Sequence, residues 1–115
     1  MTLNDYQQRA MTTCMPSSEN FSYMMLNLVG EVGEIAGKVG KWIRKGKAEI
    51  DCNTLSIDDK DYKVELQKES GDVLWQLSGL CSVMGWSLED VAQQNLDKLA
   101  DRKQRGVIDS QGDNR

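Results

Sequence analysis

Hydrophobic residues recur every three or four positions along three long segments of the chain. These segments run from Phe21 to Ile43, from Tyr62 to Met84 and from Leu88 to Leu99. Spacing of this kind places the apolar side chains in one stripe along an α-helix. The pattern predicts an all-α fold, a four-helix-type bundle with a short first helix, two long antiparallel helices and a fourth helix, completed by oligomerisation.

Capping residues and helix-terminating residues predict where each helix begins and ends. The predicted helices run from Thr2 to about Cys14, from Ser17 and Ser18 to about Lys45, from Ser56 to Gly85, and from Ser87 to about Arg105. Periodicity lapses over residues 46–57, and residues 47–53 within this segment are expected to be a polar connection. Residues 1–105 would then form one domain, followed by an irregular tail at 106–115.

Charge and composition exclude several classes of protein. A net charge of −4 leaves no basic surplus for binding a nucleic acid polymer. No apolar run approaches the roughly 20 residues that span a bilayer, and the N-terminus is no signal peptide, so a cytoplasmic protein without membrane contact is expected. Histidine is absent, which removes imidazole bases and most zinc sites. The three cysteines, Cys14, Cys52 and Cys81, fit neither a disulfide framework nor a zinc knuckle.

Two acidic pairs with the same spacing lie on the two long predicted helices. Glu31 and Glu34 belong to the second helix, and Glu69 and Asp72 belong to the third. At about 100° per residue, both pairs fall on the edge of their helix's apolar stripe, in the same rotational sense. If the helices are antiparallel neighbours, these edges lie on one flank, and the heights of the pairs along the helices also agree. The four carboxylates are therefore predicted to converge.

Four converging carboxylates need a counter-charge, because their mutual repulsion would otherwise raise their pKa values. Oxygen ligands without histidine or cysteine point to Mg²⁺, with Mn²⁺ as a possible substitute. The alternative is that Lys38, Lys41 and Lys68 neutralise the acids in surface ion pairs, which contribute little stability. Spacing alone leaves both interpretations open.

The fourth predicted helix carries a second group of polar candidates. Asn95 falls on its apolar stripe, where a buried amide would need a hydrogen-bond partner. Lys98 and Arg102 follow one and two turns later and are suited to donate to phosphate oxygens. The alternative is that these cations are simply favoured by solvent and by the dipole at the end of the helix.

Taken together, the motifs resemble those of the MazG-like all-α nucleoside triphosphate pyrophosphohydrolases, in particular the short single-domain members found in phages and bacteria. The resemblance rests on Gly30-Glu31-Val32-Gly33-Glu34 followed by Lys41, on Glu69-Ser70-Gly71-Asp72-Val73-Leu74-Trp75, and on Asn95-Leu96-Asp97-Lys98-Leu99 with Arg102. It covers roughly residues 6–105. The order and context of the two acidic motifs are specific to the family, whereas either motif alone is not.

The resemblance implies a homodimeric or homotetrameric enzyme that hydrolyses a nucleoside triphosphate to the monophosphate and pyrophosphate. By matching positions, the Mg²⁺ ligands would be Glu31, Glu34, Glu69 and Asp72. The substrate contacts would be Lys41, Asn95, Lys98 and Arg102. Many relatives carry a further glutamate where this chain has Val29 or Gly30, so the number of metal ions stays open.

Details of the chemistry and two alternative functions also stay open. Either Glu34 or Glu69 would be the catalytic base, and Tyr6, Trp42 or Trp75 are candidates to stack on a nucleobase, although core packing is expected for both tryptophans. Within the same chemistry, the substrate would be dUTP or phosphoribosyl-ATP, since enzymes for these share the bundle and its motifs. In a different class, the chain would be a non-catalytic helical dimerisation module with solvated acids.

Overall fold

The computed structural model of the protein describes residues 1–109, and within them the chain forms four α-helices and a two-stranded antiparallel sheet. The helices are α1 (Leu3–Met11), α2 (Phe21–Arg44), α3 (Lys60–Val83) and α4 (Leu88–Arg105); a 3-10 turn (Pro16–Ser18) precedes α2, and the strands β1 (Ala48–Asp51) and β2 (Thr54–Ile57) lie between α2 and α3. The predicted all-α fold is confirmed, with the small sheet as an addition. Over the described residues, none of the helices combines the length and apolar character that crossing a membrane requires.

The long helices α2 and α3 form an antiparallel pair that is the framework of the molecule. Met24, near the start of α2, lies against Gly79, near the end of α3. At the other end of the pair, the rings of Trp42 and Tyr62 stack with centroids 4.8 Å apart and planes 10° apart. Contacts that run in opposite directions along the two helices confirm the predicted antiparallel arrangement.

The segment that joins α2 to α3 is a β-hairpin, so the prediction of a polar connection over 47–53 missed its two strands. β1 and β2 pair from Ala48 opposite Ile57 up to a turn at Cys52 and Asn53, which have φ angles of 50° and 68°. Positive φ at both central residues is typical of a two-residue hairpin turn. The prediction failed because each strand has four residues and buries one side chain at its end, too little for an alternating pattern to be recognised.

The hairpin contributes to the most apolar part of the core. Trp42, Ala48 and Ile57 are buried against one another, and we refer to these three residues as the hairpin cluster. The partly buried side chains packed around them are Val39, Leu55, Tyr62 and Leu66. The hairpin cluster closes one end of the α2–α3 pair. It also shows that the polar-looking connection is part of the folded core.

The first helix is shorter than the sequence predicts. It ends at Met11 instead of about Cys14. The hydroxyls of Thr12 and Thr13 donate hydrogen bonds to backbone carbonyl oxygens three residues earlier, at 2.6 and 2.7 Å. Such side-chain bonds compete with the continuation of the helical ladder, and they end α1 before the proline is reached.

Two other helices begin later than predicted, because a different side chain caps each of them. Asn20, rather than Ser17 or Ser18, accepts the first-turn N–H of α2. Asp59, rather than Ser56, accepts two N–H groups of α3, while Ser56 lies in β2. Asn, Asp and Ser are caps of similar strength, and in both cases the cap closest to the helix prevails over serines further upstream.

The start of α1 and both ends of α4 agree more closely with the helix boundaries predicted from the sequence. Thr2 and Asp5 form the predicted capping box at α1, and Ser87 caps α4 as predicted. Gly106 ends α4 with a φ of 72°, a conformation that favours glycine. The irregular tail predicted for 106–115 lies in part outside the described residues, so for residues 110–115 it stays a prediction.

The short helix α1 is held across α3 and the start of α4 by polar contacts. The Gln7 amide nitrogen donates to Ser82 Oγ at 3.0 Å and to the Trp86 carbonyl oxygen at 2.9 Å, while its Oε1 accepts the N–H of Leu88 at 2.7 Å. Trp75 Nε1 donates to a backbone carbonyl oxygen of α1 at 3.2 Å. These bonds fix α1 against the framework.

One face of α2 is apolar and exposed. Leu26 is 72% exposed and Val29 is 67% exposed. On the same side of the helix, a Cβ built at Gly30, Gly33 or Gly37 would meet no other side chain or element within 4 Å among the described residues. Packing within the chain therefore does not explain these glycines.

Candidate metal centre

Three carboxylates from the middle of α2 and α3 meet in one place. Glu31 of α2 and Glu69 and Asp72 of α3 each offer an oxygen, and these oxygens all lie within 4.8 Å of one another. The antiparallel pairing brings them together, because it places the same-sense edges of both apolar stripes on one flank. We refer to Glu31, Glu69 and Asp72 as the acidic cluster.

The fourth predicted carboxylate, Glu34, lies at the edge of the acidic cluster. Its side chain is exposed, but it is close enough to interact with the carboxylates of both Glu31 and Glu69. The structure therefore brings all four predicted residues into one neighbourhood, with three at its centre and Glu34 on the solvent side.

Burial and the neighbouring negative charges both disfavour the ionised forms of the groups at the acidic cluster. Burial raises the pKa of the Glu31 carboxyl above its ordinary value of 4.5, and the charges of Glu34, Asp72 and Glu69 raise it further. Burial also raises the pKa of the Tyr6 phenol above 10.0, with a smaller contribution from the nearby Asp72. A cation placed among these groups would relieve both effects.

Lys38 of α2 supplies part of the missing positive charge. Its Nζ lies 2.8 Å from Glu65 Oε1 and 2.5 Å from Glu69 Oε1. The hydrogen bond from Lys38 lowers the pKa of Glu69 below its ordinary value of 4.5. Lys38 therefore forms an ion pair with the acidic cluster, as the alternative drawn from the sequence predicted. Lys41 and Lys68, which the same alternative named, are exposed.

Lys38 does not satisfy the whole cluster. Glu31 Oε2 and Glu69 Oε2 are buried and have no hydrogen-bond partner among the described residues. Buried carboxylate oxygens without partners are costly, and they are suitable ligands for a hard divalent cation. The residues present therefore fit an oxygen-ligated metal ion, although the ion's identity and the role of each ligand stay predictions.

The four predicted substrate contacts lie on two helices. Lys41 of α2 and Asn95 of α4 are exposed, Lys98 is half-buried, and Arg102 is 5% exposed. The amide of Asn95 therefore needs no partner from the protein. Because Arg102 is buried, it is not a cation held at the helix end by solvent, which was the alternative for this position. As substrate contacts, the four residues stay predictions.

Sequence reasoning missed one polar residue beside the cluster. Gln76 is 5% exposed and lies one helical turn after Asp72, on the same side of α3. Its Oε1 atom is buried and has no hydrogen-bond partner among the described residues. Its place four positions after a predicted metal ligand is a sequence signal that it lies near the cluster, but local spacing does not show that it is buried.

The comparisons with known proteins agree with this geometry. Residues 19–107 match the family model described as the MazG nucleotide pyrophosphohydrolase domain, a match that includes both helices of the acidic cluster. The chain is 42% identical over 99 residues to the Gene 37 protein of Mycobacterium phage L5, an alignment that covers 86% of this chain and 80% of that protein. No solved structure gives a significant match. The chain therefore belongs to the MazG nucleotide pyrophosphohydrolase family, and the resemblance inferred from its motifs is confirmed.

Proposed function

We propose that this protein is a Mg²⁺-dependent nucleoside triphosphate pyrophosphohydrolase that converts a nucleoside or deoxynucleoside triphosphate to the monophosphate and pyrophosphate. The proposal depends on one observation, the meeting of Glu31, Glu69 and Asp72 within 4.8 Å. Family membership supports the reaction class, and the two partnerless carboxylate oxygens support the divalent cation. We expect the substrate to come from the cytoplasmic nucleotide pool.

In this proposal the acidic cluster holds the metal ion and positions the triphosphate. The chemistry that a bound Mg²⁺ supplies is the neutralisation of charge on phosphate oxygens and a lower pKa for the attacking water. Water adds to the α-phosphorus, the bond from that phosphorus to the bridging oxygen breaks, and pyrophosphate leaves. Lys38 holds the Glu69 carboxylate in place and keeps it ionised.

We propose Glu34 rather than Glu69 as the catalytic base. Glu69 accepts a hydrogen bond from Lys38, which lowers its pKa and makes its carboxylate a poorer proton acceptor. Glu34 is exposed beside the cluster, where a water molecule can reach it. A proton acceptor needs this access.

Positive side chains around the helices would stabilise the departing pyrophosphate. Lys98 and Arg102 are suited to this role, since an ammonium group and a guanidinium group both donate to phosphate oxygens. Lys41 and Asn95 would contact the substrate from the more exposed positions on α2 and α4.

Replacement of one metal ligand tests the proposed function. Asp72→Asn removes a charged ligand while keeping the size of the side chain, so we expect Mg²⁺-dependent pyrophosphate release to fall by at least about 100-fold. The measurement is a nucleotide panel with product identification, which also separates a general enzyme from one specific for dUTP or phosphoribosyl-ATP. Circular dichroism verifies that the helices remain.

Asp61→Asn is the matched control, because Asp61 is an exposed carboxylate in the first turn of the same helix. It should keep the activity of the natural protein. If Asp72→Asn turns over nucleotides as fast as Asp61→Asn, the acidic cluster is not catalytic. If the natural protein hydrolyses no nucleotide of the panel, the alternative of a helical dimerisation module gains support.

We also propose that the protein is a homodimer or homotetramer that covers the exposed face of α2. Leu26 and Val29 would be shielded by a second copy, and the glycines beside them would allow its helix to approach closely, as small residues do at helix interfaces. Light scattering at micromolar concentration tests this. A monomeric mass for the natural protein would contradict it, and Val29→Lys should reduce the mass if the face is an interface.

A further inference from the structure

A cavity lies between the end of α1, the start of α2 and the end of α3. Its volume is about 300 Å³, at the lower end of the range for small-molecule sites. Met11, Met24, Gly79 and Val83 form apolar walls, and Glu19 and Ser82 add polar groups. Apolar walls with a few polar groups are typical of small-molecule sites.

The cavity is aligned with the acidic cluster. Met24 precedes Glu31 by seven residues on α2, and Gly79 follows Asp72 by seven residues on α3. Seven residues are close to two helical turns, so each wall residue lies on the same side of its helix as the carboxylate, about 10 Å away. Helical geometry therefore places the cavity and the cluster on one flank of the α2–α3 pair, and we refer to the space along this flank as the groove.

Gln76 lies between them on α3, one turn from Asp72 and one turn from Gly79. The side chain is 5% exposed, and its buried Oε1 has no hydrogen-bond partner among the described residues. Buried polar atoms almost always have a partner, because an unmade hydrogen bond is costly. A ligand that extends from the cluster to the cavity would pass this oxygen and could supply the missing donor.

Gly79 differs from the glycines on the exposed face of α2. A Cβ at this position would overlap Sδ and Cε of Met24, so the absence of a side chain lets the two helices approach and lets Met24 reach across the groove. The wall of the cavity is thus formed by a flexible thioether, a group that adapts to the face of a ligand.

We propose that the groove is the nucleoside subsite of the enzyme, with the base in the cavity and Gln76 Oε1 accepting a hydrogen bond from the 3′-hydroxyl of the sugar. The inference rests on the proposed function, which places the triphosphate at the acidic cluster. The order along α3, from carboxylates to amide oxygen to cavity, follows the order of phosphate, sugar and base in a nucleotide. Gln76 is then a specificity-determining residue.

Removal of the sugar hydroxyl tests this assignment in the natural protein. The kcat/KM for a deoxynucleoside triphosphate should exceed that for the matching 2′,3′-dideoxynucleoside triphosphate by about tenfold, the factor expected for one buried hydrogen bond. Gln76→Met, which keeps the length of the side chain and removes its oxygen, should bring the ratio close to one.

Gln67→Met is the matched control, because Gln67 is exposed on the same helix, and it should keep the ratio of the natural protein. A ratio near one in the natural protein overturns the role of Gln76, even if the Gln76 variant does not fold.

A second measurement locates the base without relying on turnover. With ¹³C-methyl methionine, Met11 and Met24 should shift when Mg²⁺ and an α,β-non-hydrolysable nucleotide are added, whereas exposed Met1 should not. Tripolyphosphate, which has neither sugar nor base, should leave Met11 and Met24 unmoved. Equal shifts with both compounds, or no shift with the nucleotide, overturn the nucleoside subsite.

The two proposals fail in different ways. If the natural protein releases pyrophosphate but shows no sugar discrimination and no methyl shifts, the hydrolase stands and the nucleoside subsite is wrong. If nucleotide shifts Met11 and Met24 but no nucleotide is hydrolysed, the subsite is supported and the hydrolase is wrong.

Discussion

The hairpin cluster closes one end of the α2–α3 pair and the acidic cluster lies near its middle, and the two differ in almost every physical property. In the hairpin cluster, Trp42 and Ile57 are each 5% exposed and bury apolar surface against a β-hairpin. In the acidic cluster, like charges crowd together and two buried oxygens have no partner. Apolar burial stabilises a fold, whereas buried, partnerless charge destabilises it.

The hairpin cluster therefore stabilises the fold. The acidic cluster lowers the stability of the fold, because its proposed chemistry requires buried charge. The part of α2 that holds Trp42 is about 16 Å from Glu31 along the helix axis, at 1.5 Å per residue. Changes in one cluster should therefore have little effect on the other, since distant sites usually act independently. Three predictions test this separation.

The largest expected effect is the loss of stability on truncating the hairpin cluster. Trp42→Ala should lower the free energy of unfolding by about 3–5 kcal/mol, the usual cost of removing a buried aromatic side chain. Chemical denaturation measures this change. At denaturant concentrations below the midpoint of its unfolding, Trp42→Ala should release pyrophosphate per folded molecule at a rate close to that of the natural protein. Trp86→Ala is the control, because Trp86 is 50% exposed and should cost far less. A Trp42 variant that folds normally but loses catalysis would contradict the separation of the two clusters.

The next effect in size is stabilisation by the metal ion. Mg²⁺ or Mn²⁺ at 100 times its dissociation constant should raise the free energy of unfolding by about 2.7 kcal/mol, and a chelator should reverse the gain. Thermal denaturation with and without the ion measures it. Asp72→Asn should abolish the gain, whereas Trp42→Ala should retain it. An equal gain in natural protein and Asp72→Asn would place the metal elsewhere.

The smallest effect concerns the charge on Glu31. Because the folded state raises the pKa of this carboxyl, its ionised form costs stability at pH 7, and Glu31→Gln should stabilise the metal-free protein by less than either effect above. A raised pKa means that this cost is absent below the ordinary value of 4.5 and develops as the pH rises through the folded-state pKa.

The difference between Glu31→Gln and the natural protein should therefore vanish as the pH falls toward 4.5. Urea denaturation at several pH values, without divalent cation, measures it. The opposite shift of Glu69 is present in both proteins and largely cancels in the comparison. Glu49→Gln, on an exposed strand position, should show no such dependence. A gain for Glu31→Gln that grows with acidity would contradict the raised pKa.

The same two regions show what the sequence could and could not predict. The meeting of Glu31 with Asp72 follows from helical periodicity, because each helix covers many turns and its apolar stripe sets which edge faces the partner. The hairpin could not be predicted in this way. Its four-residue strands bury only Ala48 and Ile57 at their ends, and these side chains are fixed by contact with Trp42, a tertiary interaction that periodicity does not contain.

The sequence patterns also could not predict which polar side chains are buried. Glutamine side chains usually face solvent. Gln76 lies among apolar residues of α3, and only the packing around this helix shows that its side chain is buried. Arg102 is a similar case, since a cation near a helix end is usually exposed. Both burials depend on neighbouring elements whose placement cannot be read from local spacing.

Glu31 and Asp72 lie close to the midpoints of two 24-residue helices. Helices lose hydrogen bonds first at their ends, and opening there needs far less free energy than opening at the centre. Opening of the helix ends therefore does not change the distances between the carboxylates. The geometry that a divalent ion requires can persist while the ends of the two helices open and close.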